Sequence, residues 1–255
     1  MVALRGGMVL LSSINDQAAQ GSVTKDSPFR RLCDMNDMHF ATLRKAMVDS
    51  QIRPNKVIDD RVIEAFSAVP REQFVTKQMQ DIAYLDEDIH LSGGRFILEA
   101  MVMSRMIQAL DISSSCNVLT IGSGTGYGAA IMSFLAASVI AVETRSNMVE
   151  KAQNNMSMLE IGNVAMVKSR LQDGFASEGP YDAILIEGGV ENVPETILDQ
   201  LTAEGRLAAI WRPDNNKVGE ACLWQRSGNK FARRSLFTAQ VPVLEEFRTK
   251  QKFSF

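Results

Sequence analysis

Apolar residues recur along this chain in two rhythms, and the change from one to the other divides it. Phe40, Leu43, Met47 and Ile52 fall near helical spacing, which predicts a helix over 40–51 broken by Arg53-Pro54-Asn55. Val62, Ile63 and Phe66 predict a second helix over about 60–68, with an Asp near its start and Pro70 beyond its end. A third, over 98–110, carries the stripe Ile97, Met101, Met106, Ile107 and Leu110, where methionine serves as core filler. From Val118 onward the apolar runs shorten to strand length, at 118–121, 139–142, 164–167, 181–186 and 206–210. Helix-compatible stretches lie between them. One follows at 129–132. Another runs from Asn147, with Glu150 three residues on as a capping box, to about Leu159 and Gly162. A third runs from Pro194 to Leu201. This alternation predicts an α/β fold, a doubly wound and mostly parallel sheet. Runs at 221–226 and 231–238, joined by Ser227-Gly228-Asn229-Lys230, predict an antiparallel hairpin at its edge.

Three regions follow from this pattern. Residues 1–37 are polar with few periodic apolar positions, so a disordered extension is expected, with Met38 as a plainer starting point for the protein. Residues 38–97 read as a helical cap, and Gly93-Gly94 within the turn that starts at Ser92 would permit hinging. Residues 98–255 hold the sheet.

Composition narrows the class. A hydrophobic content of 45% suffices for a core. A net charge of −3 provides no basic field for nucleic acid or an anionic membrane, so neither is expected as a partner. The run Met8-Val9-Leu10-Leu11 is too short for a signal peptide, and no window reaches a membrane span. Cys33, Cys116 and Cys222 have neither metal-ligand nor disulfide spacing, so a reducing, cytoplasmic location is expected. No metal cluster is evident, and His39 and His90 stand alone.

The chemistry concentrates at Val118 to Gly128, V-L-T-I-G-S-G-T-G-Y-G, which reads as strand, tight turn, helix. Gly122, Gly124 and Gly126 allow positive φ and close backbone approach, and the helix behind them adds partial positive charge. A dinucleotide fingerprint needs G-x-G-x-x-G, whereas Gly126 comes one residue early and Tyr127 takes the last place. G-x-G-x-G is associated with S-adenosylmethionine (SAM) methyltransferases, and Glu143, at the end of the next strand, can accept both ribose hydroxyls. Ligands in such a sheet gather beyond the carboxyl ends of the strands. The expected cofactor residues are therefore Gly122, Ser123, Gly124 and Gly126 along the methionine, and Glu143 with Thr144 at the ribose. Leu171 is placed beside the adenine, and Glu187, heading Glu187-Gly188-Gly189, where the methyl points. The bland alternative is a glycine-rich turn in any α/β protein, with a surface Glu after the next strand.

With these residues in view, the chain from about Met38 resembles the protein-L-isoaspartate O-methyltransferase family. The resemblance rests on Met47 to Gln51, Val69-Pro70-Arg71-Glu72-Gln73-Phe74-Val75, Ala83-Tyr84, Val118 to Tyr127, Pro180 to Ile184, Val193-Pro194 and Gln200 to Leu207. It implies a Rossmann-like SAM-dependent fold and a cytoplasmic, monomeric repair enzyme that methylates the α-carboxylate of isoaspartyl residues in proteins or peptides. Two positions depart. Where members carry T-I-S-x-P, this chain has Phe96-Ile97-Leu98-Glu99-Ala100, leaving Ser92 as the nearest upstream hydroxyl and Arg95 as a partner for a substrate carboxylate, against the blander turn serine and exposed arginine. After the third strand, where members carry G-D-G, the slot is Arg170. Two other functions therefore stand beside repair: methylation of a different nucleophile, and a non-catalytic SAM-binding module.

Overall fold

The computed structural model describes residues 38–214, 217–228 and 230–249, so residues 1–37, with Cys33, lie outside the described residues. The cap begins with α1 (Met38–Met47), which widens into a π turn at Val48–Ile52 and tightens at Arg53–Asn55, where Pro54 ends it. Helix α2 (Asp60–Ala68) starts where expected. Asp59 caps it, its side chain accepting from the Arg61 amide at 2.9 Å. A two-residue ladder of β1 (Ile89–His90) with β2 (Phe96–Ile97) closes the cap around the Ser92–Gly94 turn.

Helix α3 (Ala100–Leu110) leads into β3 (Asn117–Ile121), and the alternation then proceeds through α4 (Tyr127–Ser133), β4 (Ser138–Glu143), α5 (Ser146–Met158), β5 (Val164–Lys168), β6 (Tyr181–Val190), α6 (Glu195–Leu198) and β7 (Leu201–Trp211). The hairpin of β8 (Gly219–Ser227) and β9 (Lys230–Ala239) completes a seven-stranded sheet of order β5-β4-β3-β6-β7-β8-β9. β5 to β7 run parallel and the last two antiparallel, as the pattern predicts. The chain leaves β3 toward β4 and later returns to β3's other side with β6. This reversal puts the switch point of the wound sheet at the carboxyl end of β3.

Strand residues alternate between two cores. Val118, Val139 and Ala183 face the layer built from α3, α4 and the cap, whereas Leu119, Ile121, Ile140 and Ile184 face the opposite layer with Ile197, Trp224 and Leu244. Among the described residues no helix is long and apolar enough to cross a membrane, and Cys116 and Cys222 are free thiols.

The Pro-Arg-Glu-x-Phe-Val motif fastens the cap. Arg71 is fully buried and donates from Nε to the Ala83 carbonyl at 2.7 Å and from Nη2 to the Leu98 carbonyl at 2.9 Å, tying three segments together. Glu72 accepts from Arg44 Nη2 at 3.1 Å and from the Tyr84 hydroxyl. Phe74 and Phe66 pack edge-on against Tyr127, the first residue of α4.

Three expectations are corrected. α5 starts at Ser146 and has no side-chain cap, so Asn147 and Glu150 form no capping box; Glu143 Oε1 instead accepts the Thr144 and Arg145 amides at 2.7 and 3.1 Å just ahead of the helix. α6 is a single turn because β7 begins at Leu201, not at Arg206. β6 continues past Ile186 to Val190, since Gly189 and Val190 pair with Ile210 and Trp211 after a register shift.

Candidate functional site

Every strand of the parallel set points its carboxyl end to one edge, and the turn after β3 occupies its centre. Gly122, Gly124 and Gly126 sit at φ of 80°, 54° and 93°, backbone that side-chain-bearing residues adopt only with strain. At Gly126 a side chain would also crowd α5: a Cβ would lie 2.8 Å from the Met156 methyl and 3.2 Å from the Ala152 Cβ. The turn's own groups are engaged within the chain. Gly122 N donates to the Val142 carbonyl at 2.9 Å, and Gly126 N to the Ser123 carbonyl at 2.8 Å. Ser123 is buried, with its hydroxyl 3.3 Å from the Val142 carbonyl, and Gly124 N donates to Glu143 Oε2 at 3.1 Å.

Glu143 therefore stands beside the glycine turn, fully buried, at the end of β4. A guanidinium faces it. Arg95 donates from Nε to Glu143 Oε2 at 2.8 Å and from Nη2 to Oε1 at 3.0 Å, the bidentate geometry of a strong ion pair. Arg95 also reaches Glu246, at 2.6 Å from Nη2 and 3.2 Å from Nη1, and Thr144 Oγ1 at 2.9 Å. Burial alone would ease loss of the Arg95 proton, but the two carboxylates outweigh it and raise the pKa. Burial likewise pushes the Glu246 carboxyl up, and Arg95 overrides that to hold it below its ordinary value. The expectation of Arg95 as an exposed arginine or a free partner for a substrate carboxylate is corrected: its side chain is 1% exposed and binds the chain's own acids.

The remaining candidates are dispersed. Ser92 is exposed, on the rim of a cleft of about 410 Å³ between cap and α5 whose lining includes Phe74, His90, Leu91, Lys151 and Asn154. Leu171 is fully buried, and its Cδ1 would lie 3.6 Å from a Cβ at Gly122. Arg170 is largely exposed, 3.7 Å from Asp173. Glu187, expected where the methyl points, is 1% exposed; its carboxyl accepts from the Thr120 hydroxyl at 2.6 Å and lies against Gly128 at the start of α4. Burial pushes this carboxyl up to about 7. The Thr120 hydroxyl opposes the shift and the charge on Glu143 adds to it. A Cβ at Gly128 would lie only 2.5 Å from Glu187 Oε1, so Gly128→Ala is expected to cost about 1–3 kcal/mol in urea unfolding, and Gly128→Ala with Glu187→Ala to recover part of that loss.

Sequence reasoning missed the segment that lies over the switch point. Residues 241–247 run along the end of β6, where Gly189 N donates to the Pro242 carbonyl and Leu244 N to the Gly189 carbonyl, both at 2.9 Å. The Leu244 side chain fills the notch between Gly122 and Gly188, within 3.2 and 2.5 Å of where their Cβ atoms would be. The glycine pair at 188–189 was the one local sign that another backbone comes close.

Comparison with known proteins settles the lineage of this site. The family model for protein-L-isoaspartate(D-aspartate) O-methyltransferase matches residues 42–244, which includes most of the cap, the glycine turn, Glu143 and Leu244. The chain belongs to this family. A protein-L-isoaspartate O-methyltransferase of Methanoculleus marisnigri is 34% identical over 166 residues, covering 65% of this chain and 76% of that protein. A solved protein-L-isoaspartate O-methyltransferase superposes with a TM-score of 0.71 at 26% identity, over 79% of this chain and 65% of that one. A Plasmodium falciparum protein solved in complex with S-adenosyl-L-homocysteine shares the fold, with a TM-score of 0.65 at 19% identity over 81% of this chain and 98% of its own. Membership places the chain among the SAM-dependent O-methyltransferases. Its residue types suit that cofactor, with a carboxylate set at the strand end beside a glycine turn. The carboxylate is the one that Arg95 holds.

Proposed function

We infer that this protein methylates the α-carboxylate of isoaspartyl residues in damaged proteins, using SAM. The observation that supports this reading best is the placement of Glu143 at the end of β4, bonded to the Gly124 amide of the matched family turn. When bound, SAM supplies a sulfonium-activated methyl group for in-line displacement by an oxygen, a reaction for which alignment provides most of the rate. Glu143 and Thr144 are the residues to hold the ribose hydroxyls. Gly122, Ser123, Gly124 and Gly126 wall the methionine end, and Leu171 gives an apolar contact near the base. Ser92, exposed on the rim, offers a hydroxyl to an incoming peptide.

One observation favours a different acceptor. Phe96 and Leu98, which stand where members carry the two hydroxyls of T-I-S-x-P, are buried at 7% and 0% exposure and present no polar group. Incubation with methyl-labelled SAM and an isoaspartyl peptide beside its aspartyl twin distinguishes the two. Base-labile label on the isoaspartyl peptide alone is the expected result, and label on neither peptide from a protein that binds the cofactor would overturn it and leave another nucleophile or a non-catalytic SAM-binding module. A cytoplasmic, monomeric protein completes the reading, and equilibrium sedimentation is expected to return the 28.1 kDa of one chain.

A further inference from the structure

We propose that Arg95 is a latch on the cofactor cleft, locking the ribose-binding carboxylate Glu143 in a closed arrangement that Glu246 anchors and that must open before the cofactor enters. This rests on the reading of Glu143 given above. The first support is the occupancy of that carboxylate. Two ionised oxygens offer about four lone-pair sites. They already accept from Arg95 Nε and Gly124 N on Oε2, and from Arg95 Nη2, Thr144 N, Thr144 Oγ1 and Arg145 N on Oε1. Two ribose hydroxyls cannot be added to that set, so one donor has to leave. The amides are fixed by the backbone of the turn and of the start of α5. Of the two side-chain donors, the Thr144 hydroxyl holds one site on Oε1, whereas Arg95 holds one on each oxygen, so it is Arg95 whose departure frees room for two hydroxyls.

The second support is that the latch has a mechanical setting. Arg95 follows the tight β1–β2 turn, where Gly93 and Gly94 take φ of 73° and 71° and Leu91 N donates to the Arg95 carbonyl at 2.8 Å. Leu91 Cδ1 would lie 3.1 Å from a Cβ at Gly124, so the turn that carries Arg95 also covers the glycine loop. At the other end Glu246 belongs to the segment that sets Leu244 over Gly122 and Gly188. Its side chain is 22% exposed against 1% for Arg95 and 0% for Glu143, making the Arg95–Glu246 link the end that water reaches. Opening therefore starts there. It frees Leu244 and Leu91 along with the guanidinium and uncovers both ends of the cleft together.

The chemical logic is competition between a cation and a pair of neutral hydroxyls for one carboxylate. A ligand that binds only an open minority conformer has its apparent dissociation constant raised by the inverse of that conformer's population. The test is calorimetric titration of S-adenosylhomocysteine into the full chain and into Glu246→Gln and Arg95→Gln, with thermal melts confirming that each is folded. Glu246→Gln leaves the Arg95–Glu143 pair in place and removes only its anchor, so it keeps the test valid if Arg95→Gln fails to fold. The expected result is affinity about tenfold tighter in Glu246→Gln than in the unmodified chain, and tighter again in Arg95→Gln. A purely structural ion pair would not improve binding when broken. Equal or weaker binding by the folded variants, with the unmodified chain binding well, overturns the latch and leaves the methyltransferase reading in place. No binding by any of the folded proteins overturns both.

Discussion

Replacing Glu72 with Ala is expected to cost about 3–5 kcal/mol of folding stability. The carboxylate is 1% exposed and faces Arg44 and Tyr84, which are themselves buried. Arg44 Nη2 donates to it at 3.1 Å, and Nε donates at 2.9 Å to the Tyr84 hydroxyl, which in turn donates to Glu72. Burial, rather than either charge, is the main reason the Tyr84 phenol is held protonated well above its ordinary value. Removing the acid takes from the buried Arg44 guanidinium the carboxylate it faces at 3.1 Å and from the buried Tyr84 hydroxyl its acceptor. Urea unfolding followed by circular dichroism reads the change as a fall in midpoint. Glu72→Gln, which retains an acceptor for Tyr84, should lose clearly less, and a Glu72→Ala protein with an unshifted midpoint would show that the triad is not closed to solvent.

The second large effect is a pH dependence from Glu187. Its folded pKa of about 7 lies above the ordinary 4.5, so the folded state holds a proton that the unfolded chain has released over the interval between them. The native state then binds more protons than the unfolded state, and stability declines as pH rises. The contribution is complete below about 4.5 and lost through about 7, a total of about 3 kcal/mol from 1.36 kcal/mol per unit. Glu187→Gln keeps an acceptor for the Thr120 hydroxyl and has no proton to lose. Subtracting its stability profile from that of the unmodified protein, measured by urea unfolding from pH 4.5 to 7.5, should leave that falling difference. A flat difference would mean that the carboxyl ionises freely in the folded chain.

These two groups mark where sequence reading reached and where it stopped. The strands were legible because each buried run is short and apolar on both faces, and Val118 to Ile121 carries into the glycine turn without ambiguity. Helix α2 was legible because Asp59 and Pro70 bound it in the sequence itself. The Pro-Arg-Glu-x-Phe-Val run pointed to the family, but its physical work is holding the cap, with Arg71 bonded to two distant carbonyls, and nothing in its local pattern indicates those partners. Arg95 was illegible for the same reason. A lone arginine after two glycines reads as exposed, and Glu246 lies 151 positions away along the chain. The extension of β6 through Glu187-Gly188-Gly189 was hidden because polar and glycine residues carry no strand periodicity; ladder pairing with β7 supplies the hydrogen bonds that sequence pattern cannot show.

Hydrogen–deuterium exchange at saturating S-adenosylhomocysteine tests the central claim directly, that the cofactor is gripped at the glycine turn and Glu143 while the chain's own cover moves away. The account predicts slower exchange at 122–126 and 143–146, together with faster exchange at 91–96 and 241–247. Protection confined to other parts of the chain, or ligand bound with the exchange of all four segments unchanged, would contradict it.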